Sequence, residues 1–129
     1  MNIEISIVSQ PIDRSCSLPG HIVSKAGAIA EFSGIVRGDE NGQPIAGLEY
    51  EAYSPMAEKV IRRIVEEIGQ LEHCLYVRVI HRIGKVPVGD AAIHILVAAV
   101  HRAEAFAMLT AFMDRLKQEV PIWKHSIPL

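Results

Sequence analysis

The chain predicts an α+β fold, with helices packed on a mostly antiparallel sheet, from three observations. Two stretches place apolar residues at helical spacing: Ala57, Val60, Ile61, Ile64, Val65 and Ile68, then Ala105, Phe106, Leu109, Phe112, Met113 and Leu116. Other stretches alternate with the period of a half-buried strand, as Ile3, Ile5 and Ile7 do against Glu4 and Ser6. The order of these signals is β, short α, β-β, α, β-β, α and a brief extended tail, which argues for helices layered on sheet. At 129 residues the size prior gives a single domain, residues 1–129, long enough to bury a real core.

Taken in order, Pro11 closes the first strand, and Leu18 to Ala26 carries Ile22, Val23 and Ala26 at near-helical spacing after Pro19-Gly20, a short helix. From Ala28 to Arg37 the chain reads as a strand, with Gly34 as a bulge or a point of close approach. Gly38 to Pro44, GDENGQP, is dense in turn formers and predicts a loop between two antiparallel strands. The second of these runs from Ile45 to Tyr53. Ser54-Pro55 predicts a helix start, with a hydroxyl N-cap and proline at the first helical position; Gly69 predicts its stop. Leu75 to Ile83 is the next strand, GKVPVGD a turn-rich connection, and Ala91 to Val100 a strand apolar enough to be buried on both faces. A long helix follows from His101. Pro121 cannot continue it and pushes Val120 towards extended geometry, so Ile122 to Lys124 is expected to double back beside the helix end.

Composition narrows the function. The formal net charge is −2 with half of the residues hydrophobic, so no global field steers the chain to nucleic acid or to an anionic membrane. Any anion recognition must come from a local cluster. Two cysteines, Cys16 and Cys74, fit no metal or redox spacing and suit a reducing cytoplasm. The N-terminal residues lack a basic-then-apolar signal pattern, and the longest apolar run, Ile95 to Val100, is too short to span a bilayer.

The chemistry-bearing residues gather late in the chain. His101-Arg102 opens the long helix, where unpaired amides and a partial positive charge can seat a phosphate or carboxylate. The plainer reading pairs Arg102 with Glu104 or another surface acid while His101 caps the strand, and by chemistry alone both stay open. Arg37 ends a strand before the Gly38 loop and, taken alone, reads as a solvated charge. Lys117 sits one turn beyond Met113, on the border of the apolar face, and Lys124 follows the proline break beside Trp123. Two ammonium groups at a helix end and on the adjoining extended segment, next to a Trp, suggest an anion site. They can hold a substrate anion, donate protons or, with a depressed pKa, act as a base or form a Schiff base. Against this, cations near a helix C-terminus commonly do no more than complement its dipole. The six histidines show no i, i+4 ligand spacing, so no metal is expected. His73 and Cys74 are adjacent strand residues that point to opposite faces, a poor nucleophile pair.

Three blocks, GIVRGDENGQPIAGLEYEAYSPMAEK, VRVIHRIGKVPVGD and VAAVHRAEAFAMLTAFMDRLKQEVPIWK, resemble in this order the large (catalytic) subunit of molybdopterin synthase. The likeness runs from about Gly27 to Lys124. Its combination of V-H-R-x-E-A-F with L-K-x-x-x-P-I-W-K is far more specific than a lone glycine motif. The resemblance implies a hammerhead-like fold and sulfur insertion in molybdenum cofactor synthesis, with cyclic pyranopterin monophosphate converted to the dithiolene molybdopterin. The sulfur would arrive as a thiocarboxylate on the C-terminal Gly-Gly of a small ubiquitin-like partner. The implied assembly is a homodimer of large subunits within a heterotetramer, with no cofactor, nucleic acid or membrane involved. By position, Lys117 and Lys124 match the family's two functional lysines, Ile35, Val36 and Arg37 its substrate-binding loop, and His101-Arg102 the pair that contacts substrate, with His125 beside them.

Two features depart from the family pattern. His125-Ser126 stand where a basic residue and a glutamate usually follow the Trp-Lys, and the family's further tail has no counterpart after Leu129. The alternative they leave open is a non-catalytic or regulatory paralogue that binds the small partner or the pterin. Retention of Lys117, Lys124, His101 and Arg102 together argues against it. A Schiff-base lysine enzyme is the other rival. Spacing adds one expectation: Arg102 and Lys117 lie roughly 22 Å apart along one helix, too far for a single monophosphorylated pterin. A two-fold dimer that brings the start of one helix near the end of its mate's would join them in a composite site.

Overall fold

In the computed structural model, which describes residues 1–129, the chain builds two sheets and a helical layer. The first sheet has the order β1 (Asn2–Val8), β5 (Cys74–Arg82), β7 (Ala91–Ala99), β2 (Ala28–Ile35). Only β1 and β5 run parallel; the other two pairings are antiparallel. In the second sheet β4 (Gln43–Ala52) is central, with β6 (Gly84–Pro87) on one edge and β8 (Ile122–Pro128) on the other. A two-residue strand, β3 (Asp39–Glu40), turns back onto the start of β4. That hairpin is closed by Asn41 and Gly42, both at positive φ (53° and 80°), the pairing that a two-residue turn of this hand requires. The expected mixed α+β, mostly antiparallel architecture is the one observed.

Two long helices, α2 (Ser54–Gly69) and α3 (Arg102–Glu119), cover one face of the first sheet. The predicted α2 stripe, Ala57, Val60, Ile61, Ile64, Val65 and Ile68, is buried in full. It packs in one cluster with Val77, Val79, Ile93, Ile95 and Val97 of the sheet. Fully burying a Val or Ile side chain contributes about 1.5–3 kcal/mol, so this interface dominates the stability of the fold. The other face of the sheet is covered by the segment around a single helical turn, α1 (Gly20–Val23), whose Ile22 meets Tyr76, Leu96 and Ala98. With both faces covered, all nine residues of β7 are buried, His94 among them, as its predominantly apolar sequence predicts.

The chain passes directly between the sheets from β2 to β3, from β5 to β6 and from β6 back to β7, and the first two passages open the site. After Gly34 the β2–β7 register shifts, so the predicted irregularity is there; a side chain on Gly34 would press within 2.8 Å of Ile93 Cγ2. Val36 then leaves the first sheet, exchanging backbone bonds with Asp90 and Gly89. Gly84, at φ 84°, lets the chain step from β5 into β6, a conformation that side-chain-bearing residues rarely adopt.

Several local expectations are corrected. The strands flanking residues 38–44 do not pair with each other, because β2 and β4 belong to different sheets. Residues 84–90 hold a true strand, β6, whose four residues are held by pairing with β4 rather than by local pattern. Ser54 is the first helical residue, not the cap, and its hydroxyl makes no capping bond; Tyr53 precedes the helix. Phe106 is 59% exposed, while Met108 takes the buried place on α3. The segment after Pro121 does not end at Lys124 beside the helix. It continues as β8 to Pro128, antiparallel to β4.

Candidate active site

Where the two sheets diverge, a cleft of about 960 Å³ opens, within the size range of small-molecule sites. Its floor is a row of cross-strand neighbours on the helix-facing side of the first sheet: Gly34 of β2, Ile93 of β7 and His81 of β5. One wall is the last turns of α3, with Met113, Leu116 and Lys117. The opposite wall is Leu48 and Tyr50 of β4 and Lys124 of β8. The passage from β2 to β3 supplies Ile35, Val36 and Arg37 at the rim. A narrower recess of about 380 Å³ adjoins the cleft and repeats Tyr50, His81, Ile93, Lys117 and Lys124 in its lining.

Strand register explains which side chains enter. Tyr50 pairs directly with Lys124 across β4 and β8, so both project to the same face. Leu48 and Ala52 of β4 share that face by the alternation of the strand, as do Ile122 and Ser126 of β8. Trp123 and His125 therefore project to the other side, where His125 Nε2 stands 4.0 Å from Glu51 Oε2. Among the sequence candidates, Ile35, Val36, Arg37, Lys117 and Lys124 come together in the cleft. His125, His101 and Arg102 do not line it within one chain.

The cleft is locally cationic in an acidic chain. Arg37, Lys117 and Lys124 face Glu40 and Asp114 across it. Lys124 Nζ lies 3.6 Å from Glu40 Oε1, whereas neither Lys117 nor Arg37 has an ion-pair partner in the chain. Unpaired ammonium and guanidinium groups at the mouth of a cleft are poised for an anionic ligand. Tyr50 adds a hydroxyl whose ionisation is pushed up by burial first and by the nearby Glu40 second, so the phenol stays protonated and can donate.

At the far end of α3, the Glu104 carboxylate accepts a hydrogen bond from the His101 backbone N–H at 3.2 Å and lies 3.8 Å from its ring. Glu104 thus caps the helix start and leaves Arg102 exposed, with no ion pair. Cys74 is buried, and burial, aided by Glu72 and Glu104, pushes its thiol up to about 11. A thiol held protonated in this way is a poor nucleophile, and no cluster of three or more His, Cys, Asp or Glu is placed to hold a metal ion.

Sequence reasoning missed His81 and Tyr50. The signal for His81 was its parity: it stands in step with Val77 and Val79, on the face of β5 that turns inward. Tyr50 likewise keeps step with Leu48 on β4.

Comparison with known proteins places this geometry. The profile of the family described as "MoaE protein" matches residues 7–119. The human molybdopterin synthase catalytic subunit is 44% identical over 101 residues, covering 78% of this chain and 54% of that protein. The chain thus spans about half the length of such mammalian relatives. The catalytic subunit of Staphylococcus carnosus is 38% identical over 124 residues, 96% of this chain and 83% of that one. Among solved structures, molybdopterin synthase from Staphylococcus aureus superposes with a TM-score of 0.85 at 35% identity, covering 95% of this chain and 90% of that one. A MoaE protein from Burkholderia ambifaria gives 0.78 at 30% identity, covering 98% and 89%. Since the matched residues take in the cleft from β2 to the end of α3, the chain belongs to the MoaE protein family.

Proposed function

We propose that this chain is the catalytic subunit of a molybdopterin synthase. It takes sulfur from the C-terminal thiocarboxylate of a small ubiquitin-like partner and places it on cyclic pyranopterin monophosphate. The observation that carries this reading is the convergence of Arg37, Lys117 and Lys124 on one cleft. The pterin phosphate, the thiocarboxylate and the carboxylate left after transfer are all anions, and each needs such a cluster. Lys117 and Lys124 orient these groups and stabilise the charge that develops on acyl transfer, a role worth about 10²–10³ in rate for a single donor. Ile35 and Val36 line the rim beside Arg37 and would shape the pterin's approach.

Assembly follows from what one chain leaves undone. Arg102 and Lys117 sit at opposite ends of α3, and the exposed side of that helix carries Ala103, the largely exposed Phe106 and Thr110. A second copy laid against that side supplies its own His101 and Arg102 to the cleft, giving a homodimer that carries a small partner at each end. With no helix long and apolar enough to cross a membrane and a mildly acidic net charge, the working compartment proposed is the cytoplasm.

The test is to mix the purified chain with a thiocarboxylated partner ending in Gly-Gly and with cyclic pyranopterin monophosphate, and to score the dithiolene product. Product that depends on the thiocarboxylate supports the reading. Binding of partner or pterin without product would establish the regulatory paralogue instead.

A further inference from the structure

Two histidines are buried in this chain, and they differ in how their nitrogens are used. His94, on the far side of the first sheet, is engaged at both: Nδ1 lies 3.1 Å from Arg78 Nη2 and Nε2 lies 3.0 Å from Glu31 Oε1. His81 is engaged at one. Its Nδ1 is 2.8 Å from the carbonyl oxygen of Arg82, and because a carbonyl only accepts, Nδ1 must carry the proton. Nε2 makes no hydrogen bond in the chain. The sealed, unpartnered side-chain nitrogens are Arg78 Nε and Arg82 Nε alone, so Nε2 of His81 opens onto the cleft that its ring lines. Tyr50 packs edge-on against the ring, with centroids 5.2 Å apart at 71°, and fixes its plane.

We propose that His81 is a catalytic residue of this site, its Nε2 the base that accepts the proton of the water attacking the acyl carbon. The inference rests on the sulfur-transfer reading. Once the sulfur is bonded to a pterin carbon, and so forms a thioester with the partner's terminal glycine, its release leaves a carboxylate: the acyl–sulfur bond breaks while an acyl–oxygen bond forms to water. The bonding pair leaves with sulfur as a thiolate. One water proton goes to His81 Nε2, and the second is lost to solvent from the carboxylic acid that results. Ammonium and guanidinium groups have no lone pair to accept either proton.

The groups facing His81 make it the fitting acceptor. Lys117 comes from α3, Lys124 from β8, Arg37 from the rim, and Tyr50 and Glu40 from the second sheet, while Asp114 sits on the exposed side of α3. Glu40 is drawn to Lys124, and Tyr50 is held protonated. Burial lowers the affinity of His81 for a proton, outweighing the opposing bond to Arg82. The ring is therefore neutral, with a free lone pair, at neutral pH.

The deciding assay is a pH–rate profile of the complete system for wild type, Lys117→Ala and His81→Asn. Asparagine keeps a donor for the Arg82 carbonyl and removes the base. His81→Asn is expected to lose about a hundredfold or more in kcat, the range for a general base, with KM little changed and the acid limb of the profile gone. Unchanged kcat and an unchanged acid limb in His81→Asn, beside an active wild type, overturn this assignment and leave the sulfur-transfer reading standing. An inert wild type overturns both. Independently of any variant, ¹⁵N NMR of the wild-type chain at neutral pH should find His81 protonated at Nδ1 and bare at Nε2; a proton on Nε2 contradicts the proposal.

Discussion

Helices α2 and α3 lie side by side on the same face of one sheet, yet they use their surfaces differently. α2 presents one apolar stripe, Ala57 to Ile68, and buries all of it; beyond that stripe it carries mainly charge, with Met56 half exposed in its first turn. α3 buries Ala105, Met108, Leu109 and Phe112 but leaves Phe106 outside and sets Lys117 at the lip of a cleft. On α3 the exposed aromatic sits in mid-helix, and the unpaired lysine faces the cleft that also holds Arg37 and Lys124. On the proposed function, the difference separates the helix that mainly stabilises the protein from the helix that serves the cleft.

That contrast can be broken at several points. The largest effect expected is from Lys117→Ala, a loss of about 10²–10³ in turnover with the melting curve almost unmoved, since the side chain is exposed and alanine suits a helix. Lys59→Ala, the same change on the solvent side of α2, should leave turnover as it was. Equal losses from the two would erase the distinction. The converse substitution, Ile61→Ala in the fully buried stripe of α2, should cost about 2–5 kcal/mol of stability by denaturant titration. Activity per folded molecule should persist.

A pH titration of stability sharpens the picture at His81. Its proton affinity is lowered in the folded chain from the ordinary value of 6.5, so the unfolded chain binds more protons in the window below that value. The neutral ring's contribution is present above pH 6.5 and is lost as pH falls towards the folded-state value. Urea midpoints measured down that window should fall less steeply for His81→Asn than for wild type. The smallest effect on the single chain is expected from Phe106→Ala. Monomer stability should change little, because the ring is mostly in water, while self-association by analytical ultracentrifugation should weaken.

How much of this was legible in the sequence depends on the range of the interaction involved. The α2 stripe was readable residue by residue because its period is set within one helix. The two-faced burial of β7 was readable because eight of its nine residues are apolar, with His94 alone breaking the run, so neither face reads as a polar side. β6 was not, since Gly84 and Pro87 bracket a strand held only by its pairing with a distant β4. The partnership of Lys117 and Lys124 was suggested by proximity across Pro121, but the reason both enter one cleft lies in the β4–β8 register that sets Lys124 opposite Tyr50. The same strand turns His125 away from Lys124 by simple alternation, which became visible once β8 was seen to continue past Lys124. Phe106 fitted the helical period of α3 and still lies outside, because periodicity marks an apolar face without saying what covers it.

The central claim is that the two ends of α3 serve two different sites, Lys117 in its own cleft and Arg102 in that of a second copy. Mixed dimers test it most directly. Homodimers of Lys117→Ala and of Arg102→Ala should each be nearly inactive. In a dimer that pairs one of each, both lesions fall in the same cleft, and the other cleft keeps an intact Lys117 and an intact Arg102. Mixed dimers, verified by native mass spectrometry, should therefore recover the turnover of one wild-type site in two. If they form and remain inactive, Lys117 and Arg102 act within a single chain, and this account of the helix is contradicted.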